Sequence, residues 1–234
     1  MKRHIFLTVA SLLLCITANA QFSIGYSVGY GSYKMGEMKP IMDLYFEMAV
    51  LQYPNLPFEL TSNFPGNTTH TLDLGYMLNK HELGLKATYM TTGGKVAYSD
   101  YSGEYRDRLI ANGYRIAATY RYYVEAYRKK NIKLLVFGEI SPGVTVSKLR
   151  SEKYIKIGDD MLKESPDSNI DFKGNGFTIQ PQIGGKLYFT RNLAVVVTGG
   201  YDFEFGGKLS KFSTSPRLDW SGLRVNGGVS VTLP

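Results

Sequence analysis

Apolar residues recur in this chain at every second position, segment after segment, a period that fits strands and not amphipathic helices. In residues 21–33 one phase is Phe22, Ile24, Tyr26, Val28 and Tyr30, and the other is Ser23, Gly25, Ser27, Gly29 and Gly31. The same alternation runs through 71–78, 82–90, 113–124, 132–146, 177–189, 193–205 and 222–233, which predicts eight strands. The connections alternate too. Those at 79–80, 125–131 and 190–192 are short, whereas 34–68, 99–110, 147–174 and 206–219 are long. The layout predicts an all-β fold, an eight-stranded antiparallel up-and-down transmembrane β-barrel with short periplasmic turns and long extracellular loops.

Residues 1–20 read differently. Lys2 and Arg3 precede an apolar run from Ile5 to Ile16, and Ala18, Asn19 and Ala20 end it with small residues. That is the pattern of a cleaved secretory signal peptide, leaving one barrel domain over 21–234. Leu14, before Cys15, is bulky where a lipoprotein signal carries a small residue. Cleavage would remove Cys15, the sole cysteine, and lower the formal net charge from +7 to +5 by taking Lys2 and Arg3. The mature chain then forms no disulfide and no thiolate metal site. Its basic residues are scattered among acids and make no stripe for nucleic acid.

Alternation alone does not say which phase faces outward, because a soluble lipocalin-like barrel shows the same period around a ligand cavity. The second phase decides between them. It is built from Gly, Ser, Thr and Ala with a few ions, which suits the cramped lumen of an eight-stranded barrel and not a solvated surface crowded with Lys and Glu. Arg115 and Arg121 therefore point into the lumen, while Tyr114, Ile116, Ala118, Tyr120 and Tyr122 face lipid. On the lipid face at mid-depth, each arginine would cost about 2–4 kcal/mol.

The expected lumen ions are Lys86, Arg115, Arg121, Lys133, Lys186 and Arg224 against Asp73, Glu82, Glu139, Asp202 and Glu204. If Asn79 and Lys80 form a two-residue hairpin loop, Leu78 faces His81, and counting back sets Asp73 opposite Lys86. The last hairpin brings Arg224 toward Asp202. Such buried pairs are expected to fix register more than to add stability. A charged constriction that passes ions is the competing reading.

The last strand contains "NGGVSVTL", in which Asn226, Gly228, Val231 and Leu233 match the polar residue, glycine and alternating hydrophobic residues of an outer-membrane assembly signal. Val231 and Leu233 stand where that signal usually has aromatic residues, and Pro234 follows. Together with the signal peptide, the eight strands and the stretch "TTGGKVAYSDYSGEYR" at 91–106, this terminus resembles the small bacterial outer-membrane β-barrel family, which includes OmpA-like, OmpX-like and PorT-like barrels. The resemblance implies residence in the bacterial outer membrane, contact with its lipid and lipopolysaccharide, and recognition by the barrel-assembly machinery.

Catalysis in such a barrel would act on lipid and needs a nucleophile or base at the rim. Past the signal the histidines are His70 and His81. His81 falls at a periplasmic turn. His70 opens the second strand near the outer rim, with Ser99, Asp100 and Ser102 in the next loop, so a triad is the one enzymatic arrangement on offer. Hydroxyls and carboxylates are common in any such loop, and no catalytic, cofactor-binding or metal-binding residue is assigned.

Segment 147–174 mixes Lys148, Arg150, Lys153, Lys156, Lys163 and Lys173 with Glu152, Asp159, Asp160, Glu164, Asp167 and Asp171. It reads as a solvated loop, or more sharply as a bridge to calcium or lipopolysaccharide through Asp159, Asp160 and Asp167, though without EF-hand spacing. In 34–68, Pro40 is placed to open a short helix whose Ile41, Leu44, Tyr45, Met48 and Leu51 share a face. That face lies either at the membrane interface or over the barrel mouth as a lid, and burial of Leu44 and Met48 distinguishes the two. The chain thus reads as a non-enzymatic outer-membrane barrel with a structural or surface-interaction role and an unidentified extracellular ligand. A lipid A-modifying enzyme and a narrow channel or secretion accessory are the alternatives.

Overall fold

The computed structural model describes residues 20–101, 103–129, 132–157, 160–162, 171–210 and 216–233. The expected signal peptide up to residue 19, and Ser102, Asp159, Lys163, Glu164, Asp167 and Pro234, lie outside them. In chain order the elements are β1 (Ala20–Gly31), α1 (Met38–Gln52), β2 (Glu59–Asn63), β3 (Asn67–Leu78), β4 (His81–Ser99), β5 (Gly103–Lys129), β6 (Ile132–Ile157), β7 (Asp160–Leu162), β8 (Asp171–Tyr188), β9 (Leu193–Leu209) and β10 (Gly222–Leu233).

Eight of these strands close a ring. The antiparallel order is β4, β3, β1, β10, β9, β8, β6 and β5, and β5 returns to β4. The first and last strands of the chain meet in register from Phe22 and Leu233 to Gly31 and Arg224. A closed ring leaves no sheet edge unpaired, which is what a lipid environment demands. Above the ring, β2 takes the place of β3 against the upper part of β4, and β7 pairs with the end of β6.

The bulky phase faces outward. Phe22, Ile24, Tyr26 and Val28 on β1 and Leu223, Val225, Val229 and Val231 on β10 are exposed, whereas Ser23, Arg224, Ser230 and Thr232 between them are buried. Aromatic rows mark the height of the apolar belt. At one level His70 pairs in register with Tyr89, and Tyr89 with Tyr114. At the other, the His81 Nδ1 lies 2.8 Å from the Tyr120 hydroxyl, and its ring packs on Tyr122. Leu83, Leu85 and Ala87 fill β4 between these levels. Eight residues of strand span about 27 Å, and tilt shortens that along the membrane normal, in keeping with an apolar band of about 25 Å. No helix among the described residues is long and apolar enough to cross a membrane.

Two expectations need correction. A tilted span needs about 9–11 residues, yet β5 has 27 residues and β6 has 26. The segments at 99–110 and 147–174 are therefore largely strand, with unbroken register from Gly103 and Ile157 to Ala117 and Gly143. The periplasmic turn expected at 125–131 likewise shrinks, since Lys129 pairs with Ile132. The strands of the long side continue above the membrane as a curved ribbon because they bury a second apolar face there.

That face belongs to a core over the barrel mouth. Met35, Phe64, Met90, Leu109, Leu149 and Trp220 pack with Met38 and Met42 from α1. α1 begins at Met38, two residues before Pro40, and its buried residues are Met38, Met42 and Ala49, with Ile41, Tyr45 and Phe46 partly covered. Leu44, Met48 and Leu51, expected to share one face with Ile41 and Tyr45, are 52%, 55% and 80% exposed, so that face is not the one that covers the mouth. Apolar residues occupy most of the circumference of α1, so spacing alone does not choose the packed side. Gly94 helps choose it: a Cβ there would collide with the Met42 side chain, so the missing methyl is what lets α1 sit down on β4.

Candidate functional site: a filled lumen beneath a capped platform

The lumen holds two ionic clusters. In the lower one the Arg121 guanidinium, carried on β5, donates to the Asp73 Oδ1 at 2.6 Å, the Glu82 Oε1 at 2.8 Å and the Glu139 Oε2 at 2.5 Å. Its acceptors come from β3, β4 and β6, so one side chain ties three strands of the wall. Asp73 faces Lys86 in register, the two lying 4.0 Å apart, while the closest partner of Lys86 is Glu139. In the upper cluster Asp202 lies 3.8 Å from Arg115 and 3.7 Å from Arg224. Arg115 also donates to the Thr178 hydroxyl at 2.8 Å, the Gln180 amide oxygen at 3.0 Å and the Ser141 carbonyl at 2.6 Å.

Three expected lumen ions stand apart. The Lys186 ammonium sits 5.5 Å from the centre of the Tyr188 ring and makes no ion pair among the described residues. Glu204 accepts the Trp220 backbone N–H at 2.5 Å and has no cation within pairing distance among them. Lys133 is at the periplasmic rim, half exposed and 4.0 Å from Glu125.

Apolar plugs close the lumen at both ends, and sequence alone points to neither. At the periplasmic end, Met77, Tyr123, Leu135, Phe137, Tyr188 and Ala194 form a buried cluster on the inward phase. At the mouth, Trp220 lies across the barrel just before β10. Its Nε1 donates to the Ser147 hydroxyl at 2.9 Å, its carbonyl accepts from Arg224 at 2.5 Å, and Tyr33 packs edge-on at 5.0 Å. A Cβ on Gly113 would come within 2.9 Å of the indole, so glycine makes room for it. In the sequence Trp220 is a lone tryptophan among 18 tyrosines, between Asp219 and Ser221 at the head of the last strand, which marks the residue but not its place in the mouth. A cavity of about 30 Å³ is left among these lumen side chains, room for one or a few water molecules.

The terminal residues complete the closure of the ring. Asn226 accepts from the Thr69 hydroxyl at 3.0 Å over Gly29, the β1 residue that both face, Gly228 sits inward against β1, and Val231 and Leu233 face outward at 41% and 44% exposure. His70 does not meet Ser99 of the conceived triad, and Ser102 lies outside the described residues. The His70 Nδ1 lies 2.8 Å from the Tyr26 hydroxyl on the outer wall. Ser99 is ten residues beyond Tyr89, the register partner of His70, or about 33 Å along β4. Among the described residues no group of three His, Cys, Asp or Glu side chains is placed to hold a metal ion.

Outside the membrane, burial pushes the Tyr45 phenol above its ordinary range, with the Asp107 carboxylate adding to the effect. At the periplasmic end, the hydrogen bond from Arg128 holds the Glu125 carboxyl below its ordinary value. The platform top is aromatic. Phe58 packs on Tyr98 at 5.9 Å and on Tyr105 at 5.2 Å, and the exposed stripe of Leu44, Met48 and Leu51 lies on the outer side of α1.

Neither protein-family models nor curated proteins give a match to this sequence. Among solved structures, the chain is similar to Ail, the attachment invasion locus protein of Yersinia pestis, in complex with the heparin analogue sucrose octasulfate. The identity is 12% and the TM-score 0.40, over 92% of this chain and 97% of that one. It is also similar to the outer membrane protease OmpT from Escherichia coli, at 10% identity and a TM-score of 0.34 over the same shares. At that level neither a ligand nor an activity transfers. The architecture rests on the chain's own geometry, which is that of an eight-stranded transmembrane β-barrel, apolar outside and filled within.

Proposed function

We propose that this barrel is a non-enzymatic surface protein that acts through the folded platform above the membrane, with the barrel as its anchor. The observation that carries this reading is the pairing of a filled lumen with a built extracellular domain. A lumen cavity of only about 30 Å³, between apolar clusters at both ends, supports an anchor over a channel, whereas β4, β5 and β6 continue well above the aromatic row to hold α1 in place. The exposed stripe of Leu44, Met48 and Leu51 gives the platform a recognition face, since a rigid apolar ridge in water gains by being covered.

The test compares cells carrying the wild-type protein with cells carrying Leu44→Ser/Met48→Ser/Leu51→Ser. The surface-binding profile should lose partners in the triple variant while the barrel keeps its heat-resistant electrophoretic mobility, and the mass of lipid A should be the same with and without the protein. A change in lipid A mass on expression, or steady ion current through the purified barrel in a planar bilayer, would contradict the reading.

A further inference from the structure

Above the outer aromatic row, the side of the barrel carries a hollow of about 460 Å³. Lys95, Arg106 and Arg108 line it, with Gly93 and Ile110 beneath and Asn67 at its edge, and no Asp or Glu takes part. Lys95 and Arg108 stand directly opposite one another across β4 and β5, on the outward phase. Like charges facing across a sheet are destabilising unless something negative sits between them. Nothing among the described residues does so. Glu152, the β6 residue opposite Arg108, is bridged to Arg150 at 3.4 Å. Arg106 pairs with Glu104, yet its Nε is buried with no hydrogen-bond partner.

Position narrows the occupant. Ile110 shares its phase with Tyr114 and Ile116, so the hollow opens sideways from the same wall that meets lipid. Lys95 lies six residues beyond Tyr89, about 20 Å along the strand and roughly 15 Å above the aromatic row once tilt is allowed for. A ligand there must stand beside the barrel, rise from the same leaflet and bring negative charge at that height. Two guanidinium groups and an ammonium around a carboxylate-free recess suit a phosphate, which arginine grips with its planar fork.

We propose that this hollow binds the phosphorylated sugar headgroup of a glycolipid in the surrounding outer leaflet, with Lys95 and Arg108 on the phosphate and Arg106 closing one side. This goes beyond the role of the platform, because a lipid held at the wall needs no extracellular partner.

Native mass spectrometry of the full barrel in neutral detergent tests it, with intact or enzymatically dephosphorylated lipopolysaccharide as the probe. The wild type should retain one intact glycolipid, and Lys95→Ala/Arg108→Ala should bind it at least about tenfold more weakly, the loss expected for two charge-assisted contacts. Lys39→Ala/Lys80→Ala, which removes two cations elsewhere, should bind as the wild type does. The Lys95→Ala/Arg108→Ala barrel without lipid should be no less stable than the wild type, since the change relieves a like-charge pair; Arg108→Gln alone carries the test should the double variant not fold. Equal binding by the double variant, equal binding of the dephosphorylated glycolipid, or full competition by inorganic phosphate or a soluble sugar phosphate at the lipid's own concentration would overturn the proposal.

Discussion

Arg121 shows how a charge inside the membrane is made tolerable. Its three carboxylate contacts replace the water it gives up, and Asp73, Glu82 and Glu139 depend on it in turn. Arg121→Ala should destabilise the barrel by about 3–5 kcal/mol, the cost of leaving buried charge uncompensated. Urea unfolding in micelles measures it, and Arg121→Lys should fall between, since one ammonium cannot span three strands. A loss below about 1 kcal/mol for Arg121→Ala would mean that water, not protein, solvates these acids. At this scale sequence says part of the answer. The inward aim of Arg121 follows from the tyrosines on either side of it, and the facing of Asp73 and Lys86 follows from a two-residue hairpin. The contact between Arg121 and Asp73 spans the width of β4 and depends on wall curvature, which pattern does not encode. The solitary placement of Lys186 and Glu204 has the same origin.

Among the elements, the segment leading into β10 does the work of a stopper. Trp220 joins the polar filling to the apolar core under α1 through bonds to Glu204, Ser147 and Arg224. Trp220→Ala should cost about 3–5 kcal/mol by leaving a cavity, and Trp220→Phe about 1 kcal/mol by losing the bond to Ser147. Planar-bilayer recordings of Trp220→Ala should remain silent, because Met77, Tyr123, Phe137 and Tyr188 still close the other end. Open-channel current from Trp220→Ala would mean that the mouth alone seals the lumen. Eight strands were legible because lipid forces strict alternation on each span. Their upward extension was not, because "YSDYSGEYRDR" carries the Gly, Ser and Asp of a loop while Tyr98, Tyr105 and Leu109 quietly keep the inward phase. The buried side of α1 is hidden from spacing for a related reason: a helix apolar nearly all round reveals its packed face only through its neighbours, here Gly94 and Phe64.

The whole molecule is two cores stacked on one sheet, a polar one at membrane depth and an apolar one above it, both bounded by the same strands. Everything said of the platform and of the basic hollow depends on which phase of those strands meets lipid. A spin-label accessibility scan in bilayers tests that most directly, with single cysteines introduced into a chain whose own cysteine, Cys15, lies in the expected signal segment. Labels replacing Leu83, Leu85 and Ile116 should collide with membrane-dissolved oxygen and be shielded from a water-soluble nickel reagent, while labels replacing Thr71, Thr88 and Thr119 should be shielded from both. Nickel reaching positions 83, 85 and 116, with oxygen favouring 71, 88 and 119, would contradict the account.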